Sequence, residues 1–252
     1  MFNLTLLALL LIALVFLGYQ IRLSRKLSAK LTQLINSEKE VRKSVRALKL
    51  SARADYRQSE SYAQLLNLLS FDAPIPPTRG WAASPDVLLT LVHSARSSGV
   101  RTIVDLGSGV STLVLAKCAP QARVISIDNS PEYAAKTQLL LDSHAITNVD
   151  LRVAPLTPHA SGNNWYETSV FADITEIDLL FIDGPPATED GQARHPAFTE
   201  LLKKLSAKAI VVLDDAGRDG EKELAQKFAA AIPTHSVEFL DHEKGTAVIR
   251  PK

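Results

Sequence analysis

The sequence predicts an α/β protein: a doubly wound, mostly parallel seven-stranded sheet with a C-terminal antiparallel hairpin, preceded by a transmembrane helix and a helical stalk. Three observations predict it. Five short, nearly all-apolar runs alternate with helical segments, which is the pattern of a parallel sheet covered on both faces. Two further runs, 236–240 and 246–250, flank a turn and read as a terminal antiparallel pair. Ahead of them all, residues 2–21 contain no charged side chain.

That first stretch is dense in Leu, Ile, Val, Phe and Ala. Roughly 20 such residues at about 1.5 Å rise cross a hydrocarbon core of about 30 Å. A cleaved signal peptide is the competing assignment, but no basic segment precedes the run and no small-x-small cleavage site follows it. Arg22, Arg25, Lys26 and Lys30 come directly after, and retained positive charge puts the N-terminus outside and the rest in the cytoplasm. The expectation is a single-pass protein of the inner or plasma membrane, with the bilayer as its first partner.

Residues 22–70 form the stalk. Leu27, Leu31, Leu34, Glu38, Val41, Val45, Leu48 and Ala52 follow alternating steps of four and three, a heptad seam interrupted at Glu38. Two readings fit: a parallel coiled coil that makes a homodimer through residues 22–55, or one amphipathic helix lying on anionic headgroups. Residues 1–70 carry 11 Lys+Arg against 4 Asp+Glu, whereas 71–252 carry 17 against 23. A mildly acidic globular part speaks against a nucleic-acid partner, whose phosphates are held by Lys and Arg. Tyr62, Leu65, Leu66, Leu68 and Leu69 are expected to pack on the globular domain. Pro74, Pro76 and Pro77 end the helix, so the domain runs 71–252. Cys118 is the only cysteine, which excludes an internal disulfide and a cysteine zinc cluster.

Within the domain, Ser84 and Pro85 open a helix as N-cap and first helical residue, and 87–97 continue it. A strand at 102–106 runs through the glycine turn Gly107-Ser108-Gly109 into a helix at 111–118, then a strand at 123–127 ending on Asp128. This β-α-β unit lets a ligand approach the backbone at the glycines and offers an acidic residue to a ribose. A helix from Ser130-Pro131, a strand at 149–153 and the exit Ala154-Pro155 follow. An irregular stretch contains Trp165-Tyr166. Strands at 177–182 and 209–213 end on Asp183-Gly184 and Asp214-Asp215, with helices at about 196–205 and 220–231 behind them. Ligands of open α/β sheets sit off the carboxyl ends of the strands. Four strands ending in or beside Asp105, Asp128, Asp183 and Asp214-Asp215 therefore converge on one rim.

These motifs, DLGSG at 105–109, FIDG at 181–184 and LDD at 213–215, resemble the class I S-adenosylmethionine (SAM)-dependent methyltransferase family, in its catechol-O-methyltransferase-like branch. The likeness covers about 80–250 and implies a Rossmann-like domain. It implies that Asp105, Gly107, Gly109 and Ser111 approach the methionine part of SAM, with Ser108 of the same turn also binding the cofactor, that Asp128 holds the ribose hydroxyls, and that Asn129 and Ala154 flank the adenine. Asp183 would stand near the sulfonium. Asp183, Asp214 and Asp215 resemble the branch's Mg²⁺ trio, with Asp215 where that trio has Asn. Three carboxylates suit Mg²⁺, while Asp215 could instead cap the following helix or turn. His195 is a candidate general base or a surface residue starting a helix. Arg194 would bind an anionic substrate group or pair with Glu189 or Asp190, and Trp81 with Trp165-Tyr166 would form an acceptor wall or pack. No Asn-Pro-Pro-Tyr or Asp-Pro-Pro-Tyr motif is present, which favours an oxygen acceptor, and the anchor suggests a glycan, lipid-linked or other envelope precursor. The other classes are a non-catalytic membrane scaffold and an NAD or nucleotide-sugar enzyme. Against the last stand Thr112, where a dinucleotide fingerprint has its third glycine, and the terminal hairpin.

Overall fold

The computed structural model describes residues 2–97, 99–186 and 191–252. Contacts divide the chain into two units, Met1–Asp55 and Tyr56–Lys252. One helix, α1 (Phe2–Leu68), contributes to both. In the first unit it is the whole structure, and its apolar N-terminal part is long and hydrophobic enough to cross a membrane, with none of that window buried.

The second unit holds the sheet. In chain order its elements are α2 (Pro85–Ala95), β1 (Thr102–Leu106), α3 (Val110–Cys118), β2 (Arg123–Asp128), α4 (Pro131–Ser143) and β3 (Val149–Val153). A small pair β4 (Leu156–Pro158) and β5 (Asn164–Tyr166) precedes β6 (Ile177–Ile182) and α5 (Pro196–Leu201). Then come β7 (Leu205–Asp214), α6 (Asp219–Ala231), β8 (His235–Leu240) and β9 (Thr246–Pro251). The seven-stranded sheet has the order β3-β2-β1-β6-β7-β9-β8. β1 pairs in parallel with β2 and β6, and β9 runs antiparallel to β7 and β8. The strand order reverses between β1 and β6, which opens a crevice at their carboxyl ends.

Period-two alternation splits the core into two layers. On β6, Leu179 and Phe181 face the layer built by α2, α3 and the end of α1, where Leu65 and Leu69 are buried. Leu180 and Ile182 face the other layer, with Trp165, Phe171, Leu224 and Phe228. Of the five stalk-end residues expected to pack, Leu66 is instead exposed. Helix starts follow local chemistry. Pro85 and Pro131 occupy first turns, and Ser130 Oγ accepts from the Tyr133 N–H at 3.4 Å. Ser84 is the N-cap of α2, but its hydroxyl donates to Asp86 Oδ1 at 2.6 Å rather than capping. The expected irregular stretch after β3 contains the β4–β5 pair, and the helix expected to reach about 205 gives way after Leu201 to a 3₁₀ turn, Leu202–Lys204.

Candidate active site

The crevice holds a cavity of about 370 Å³, within the usual size of a small-molecule site. Its floor is the turn from β1 into α3. Gly107 has φ 110° and Gly109 φ 142°, backbone that side-chain-bearing residues rarely adopt. Gly107 donates its N–H to Ile127 O at 2.9 Å, which ties the turn to β2. Gly109 is the N-cap of α3, so the positive end of that helix faces the cavity.

Asp128, at the end of β2, lines the same space. Its Oδ2 accepts from the Ser108 N–H at 3.1 Å and the Ser108 hydroxyl at 2.5 Å, and its Oδ1 accepts from the Ser130 N–H at 2.8 Å. Ser108, Ser111, Asn129 and Asp183 join it in the lining. Asp105 is placed differently from the expectation. It is fully buried behind the turn, accepting from Thr112 Oγ1 at 2.7 Å and Ser111 Oγ at 3.2 Å, so it shapes the loop from below. Its Oδ1 has no hydrogen-bond partner, and burial pushes its carboxyl up to about 7. Ala154 does not line the cavity either. It is buried, and its N–H is bonded to Asp128 O at 2.8 Å.

The opposite wall comes from the ends of β6 and β7. One carboxylate oxygen each from Asp183, Asp214 and Asp215 lies within 4.8 Å of the others, so the predicted trio does converge. Asp215 adopts φ 62°, a left-handed conformation that Asp tolerates better than most residues. The trio is not bare. Arg194, 4% exposed, reaches Asp215 Oδ2 at 2.9 Å and Asp183 Oδ1 at 3.3 Å. It also donates to the main-chain carbonyls of Asp183 (2.9 Å) and Asp214 (3.0 Å). Lys244 Nζ sits 2.8 Å from Asp214 Oδ2 and 3.5 Å from Asp215 Oδ1. Arg218 adds a third cation, 3.1 Å from Asp215 Oδ2. The Asp215 carbonyl accepts from the Arg218 N–H in the turn before α6, whose N-cap is Arg218.

This crowding sets the protonation of the wall. Burial, then the charge of Asp214, raises the Asp183 carboxyl well above the usual carboxylate range, while Arg194 and Lys244 pull it down. Burial raises Asp214 as well. Burial works against the Lys244 ammonium, but Asp214 and Asp183 outweigh it and hold its pKa above the ordinary lysine value.

His195 does not join the site. Its Nε2 is 3.0 Å from the Gly220 carbonyl, an acceptor, so that nitrogen carries a proton and is tied away from the cavity. Trp165 is fully buried in the core, while Tyr166 is buried yet reaches the cavity wall. Trp81 lies at the mouth, 87% exposed, with Gly80, Ala82 and Ala83 beside it. The pairing of Arg194 with Glu189 or Asp190 lies outside the described residues. Sequence reasoning missed Lys244, Arg218 and Tyr133 as lining residues. Lys244 arrives through the β8–β9 turn, whose carbonyls at Lys244 and Gly245 accept from the Gly217 and Ala216 N–H groups.

The donor set suits SAM: backbone N–H groups at a helix start for a carboxylate, a carboxylate at the end of β2 for a diol, and buried negative charge near a sulfonium. It does not suit Mg²⁺ in the same way. The ion takes oxygen ligands at about 2.0–2.1 Å in octahedral array, and the converging oxygens here already face Arg194 and Lys244.

Residues 104–216 match a family described as a methyltransferase domain. No curated protein sequence matches the chain. Among solved structures, an O-methyltransferase from Bacillus cereus in complex with SAH is similar at TM-score 0.55 and 19% identity, covering 80% of this chain and 97% of that one. A methyltransferase from Geobacter sulfurreducens gives 0.54 and 15% over 81% and 96%. The SAH-bound methyltransferase PaMTH1 from Podospora anserina gives 0.53 and 18% over 82% and 95%. At such identities the likeness is one of fold. The methyltransferase-domain match spans the glycine turn and both aspartate-ended walls of the cavity, within a fold that these solved methyltransferases share.

Proposed function

We propose that the protein is a membrane-anchored O-methyltransferase whose acceptor enters past Trp81 and meets the Asp183 wall. The observation that carries this reading is the position of Asp183. It lines the cavity with its side chain 15% exposed and stands beside Arg194, and burial raises its carboxyl above the usual carboxylate range, the direction a general base needs. SAM, when bound, supplies an electrophilic methyl group on a sulfonium. The chain's own tasks are to orient, to exclude water and to remove the acceptor's proton. Asp128 fixes the turn through Ser108 and offers its oxygens to hydroxyls. Asp183 receives the acceptor proton on its carboxylate, Arg194 holds that carboxylate in place, and the neighbouring Lys244 stabilises the acceptor oxygen as it gains negative charge. The O-methyltransferases among the similar structures support an oxygen acceptor, as does the absence of an amide-binding Pro-Pro-Tyr motif.

The anchor belongs to the same proposal. A helix able to span a bilayer, followed by Arg22, Arg25 and Lys26, supports a cytoplasmic catalytic domain working on an envelope precursor such as a glycan or lipid-linked acceptor. The test uses the full-length chain in detergent micelles. Calorimetric titration should show SAM and its demethylated product binding. Asp128→Ala should weaken both by about 10- to 100-fold, the value of hydrogen bonds to a charged group. Labelled methyl transfer into membrane extracts should then give a methyl ether or ester. Failure to bind SAM at millimolar concentration would sink the enzymatic reading and leave the scaffold in its place.

A further inference from the structure

We infer that Arg194 and Lys244 occupy the position of a catalytic metal ion, so that this methyltransferase works with built-in cations and needs no divalent metal. The inference rests on the methyltransferase reading of the site but not on the identity of the acceptor. Its basis is geometric. The three carboxylates that converge at the ends of β6 and β7 would together carry three negative charges in a wall almost closed to water. Such charges are tolerated only when paired. Arg194 pairs them across both strands at once. Its Nη2 contacts Asp183 Oδ1, Asp215 Oδ2 and the Asp183 carbonyl while its Nη1 donates to the Asp214 carbonyl, a use of the rigid fork that lysine could not reproduce. Lys244 takes the other side, against Asp214 and Asp215.

The two cations divide the work a metal would do. Arg194 is 4% exposed and is a positioning residue, since it holds the ends of β6 and β7 in register around Asp183. Lys244, with 23% of its side chain exposed and its place in the cavity lining, is the cation open to the acceptor oxygen. Arg218, 48% exposed and also in the lining, adds to the positive field. A divalent ion entering the trio would have to expel both Arg194 and Lys244, and among the described residues their ion-pair partners all lie in this one cluster, which includes Glu221.

Mn²⁺ is the probe, followed by its electron paramagnetic resonance signal in the full-length protein in micelles, with SAM binding measured on the same sample. The wild type should leave Mn²⁺ free up to millimolar protein and should bind SAM equally with and without a chelator. Lys244→Met opens one side of the trio at a partly exposed position and should gain Mn²⁺ affinity by at least about tenfold. Arg194→Met is the second variant. One equivalent of Mn²⁺ bound by the wild type would overturn the inference. So would variants that keep SAM binding yet gain no Mn²⁺ affinity, because the trio would then not be a metal position at all. Loss of SAM binding in the wild type would instead indict the methyltransferase reading, while the Mn²⁺ result would still decide the question of the cations.

Discussion

Asp105 and Asp183 are both buried carboxyls with raised pKa, yet they do different work. Asp105 faces no cavity and holds Ser111 and Thr112. Its carboxyl sits at about 7 in the folded protein against an unfolded value of 3.8, so the folded state keeps a proton that the unfolded state gives up. Stability therefore falls as pH rises through that window and levels off above about 7. Asp183 and Asp214 act in the same direction, so the Asp105 share is isolated by Asp105→Asn, which keeps the acceptor for Thr112. The Tm of the variant, followed from pH 5 to 8, should fall less steeply than that of the wild type; parallel curves would refute burial of a neutral Asp105. For Asp183 the expectation is kinetic. Asp183→Asn should lower kcat by about 10²- to 10⁴-fold, the usual worth of a general base, with SAM affinity changed only severalfold. Equal loss in SAM affinity and kcat would make Asp183 a binding residue instead. The aspartates were legible from sequence because each closes an apolar run, and a strand end in a parallel sheet is a position at the rim. Arg194 and Lys244 were not, since nothing in a loop residue's neighbours says that its charge turns inward.

At the scale of elements, the FIDG motif shows what its glycine is for. A Cβ on Gly184 would lie 2.3 Å from the Tyr166 hydroxyl and 3.1 Å from Leu106 O. β1, the end of β6 and the last residue of β5 therefore meet at a point where only glycine fits. Gly184→Ala should cost about 1–3 kcal/mol, the usual price of overpacking, and displace the Tyr166 face of the cavity. Thermal unfolding and SAM titration together check this, and a variant as stable as wild type would show that Tyr166 moves freely. Sequence periodicity found the five buried strands and the terminal hairpin because each is a continuous apolar run. It missed the β4–β5 pair, whose three-residue strands are too short to show a period. It also stopped β7 too far from its start. Leu205 pairs with Ile177 across a register shift, and the exposed Ala207 and Lys208 between them carry no apolar signal.

At the scale of the whole molecule, the open question is what meets the stalk. The apolar segment and the seam residues Leu27, Leu31, Leu34, Val41, Val45 and Leu48 are all exposed on α1. For the first segment the expected partner is lipid, so the full-length protein should resist alkaline extraction from membranes, and removal of residues 2–21 should release it. For the seam, a second copy and the lipid surface predict different chemistry. Cysteine placed at Leu34 or Leu48 should cross-link to its own counterpart in a parallel coiled coil, whereas cysteine at Lys43, on the outer face of the same helix, should not. The native thiol does not confuse the experiment: Cys118 is buried, and burial pushes it up to about 12, so little reactive thiolate forms near neutral pH. Seam-specific cross-linking in membranes would establish the homodimer through residues 22–55. Uniform labelling without cross-links, combined with protection of the seam cysteines by anionic vesicles, would place the stalk along the headgroups, where its excess of Lys and Arg is equally at home. Glu38 separates the two as well. Replacing it with leucine completes the seam and should strengthen pairing if two copies meet there, while a stalk lying on lipid would show no gain in cross-linking.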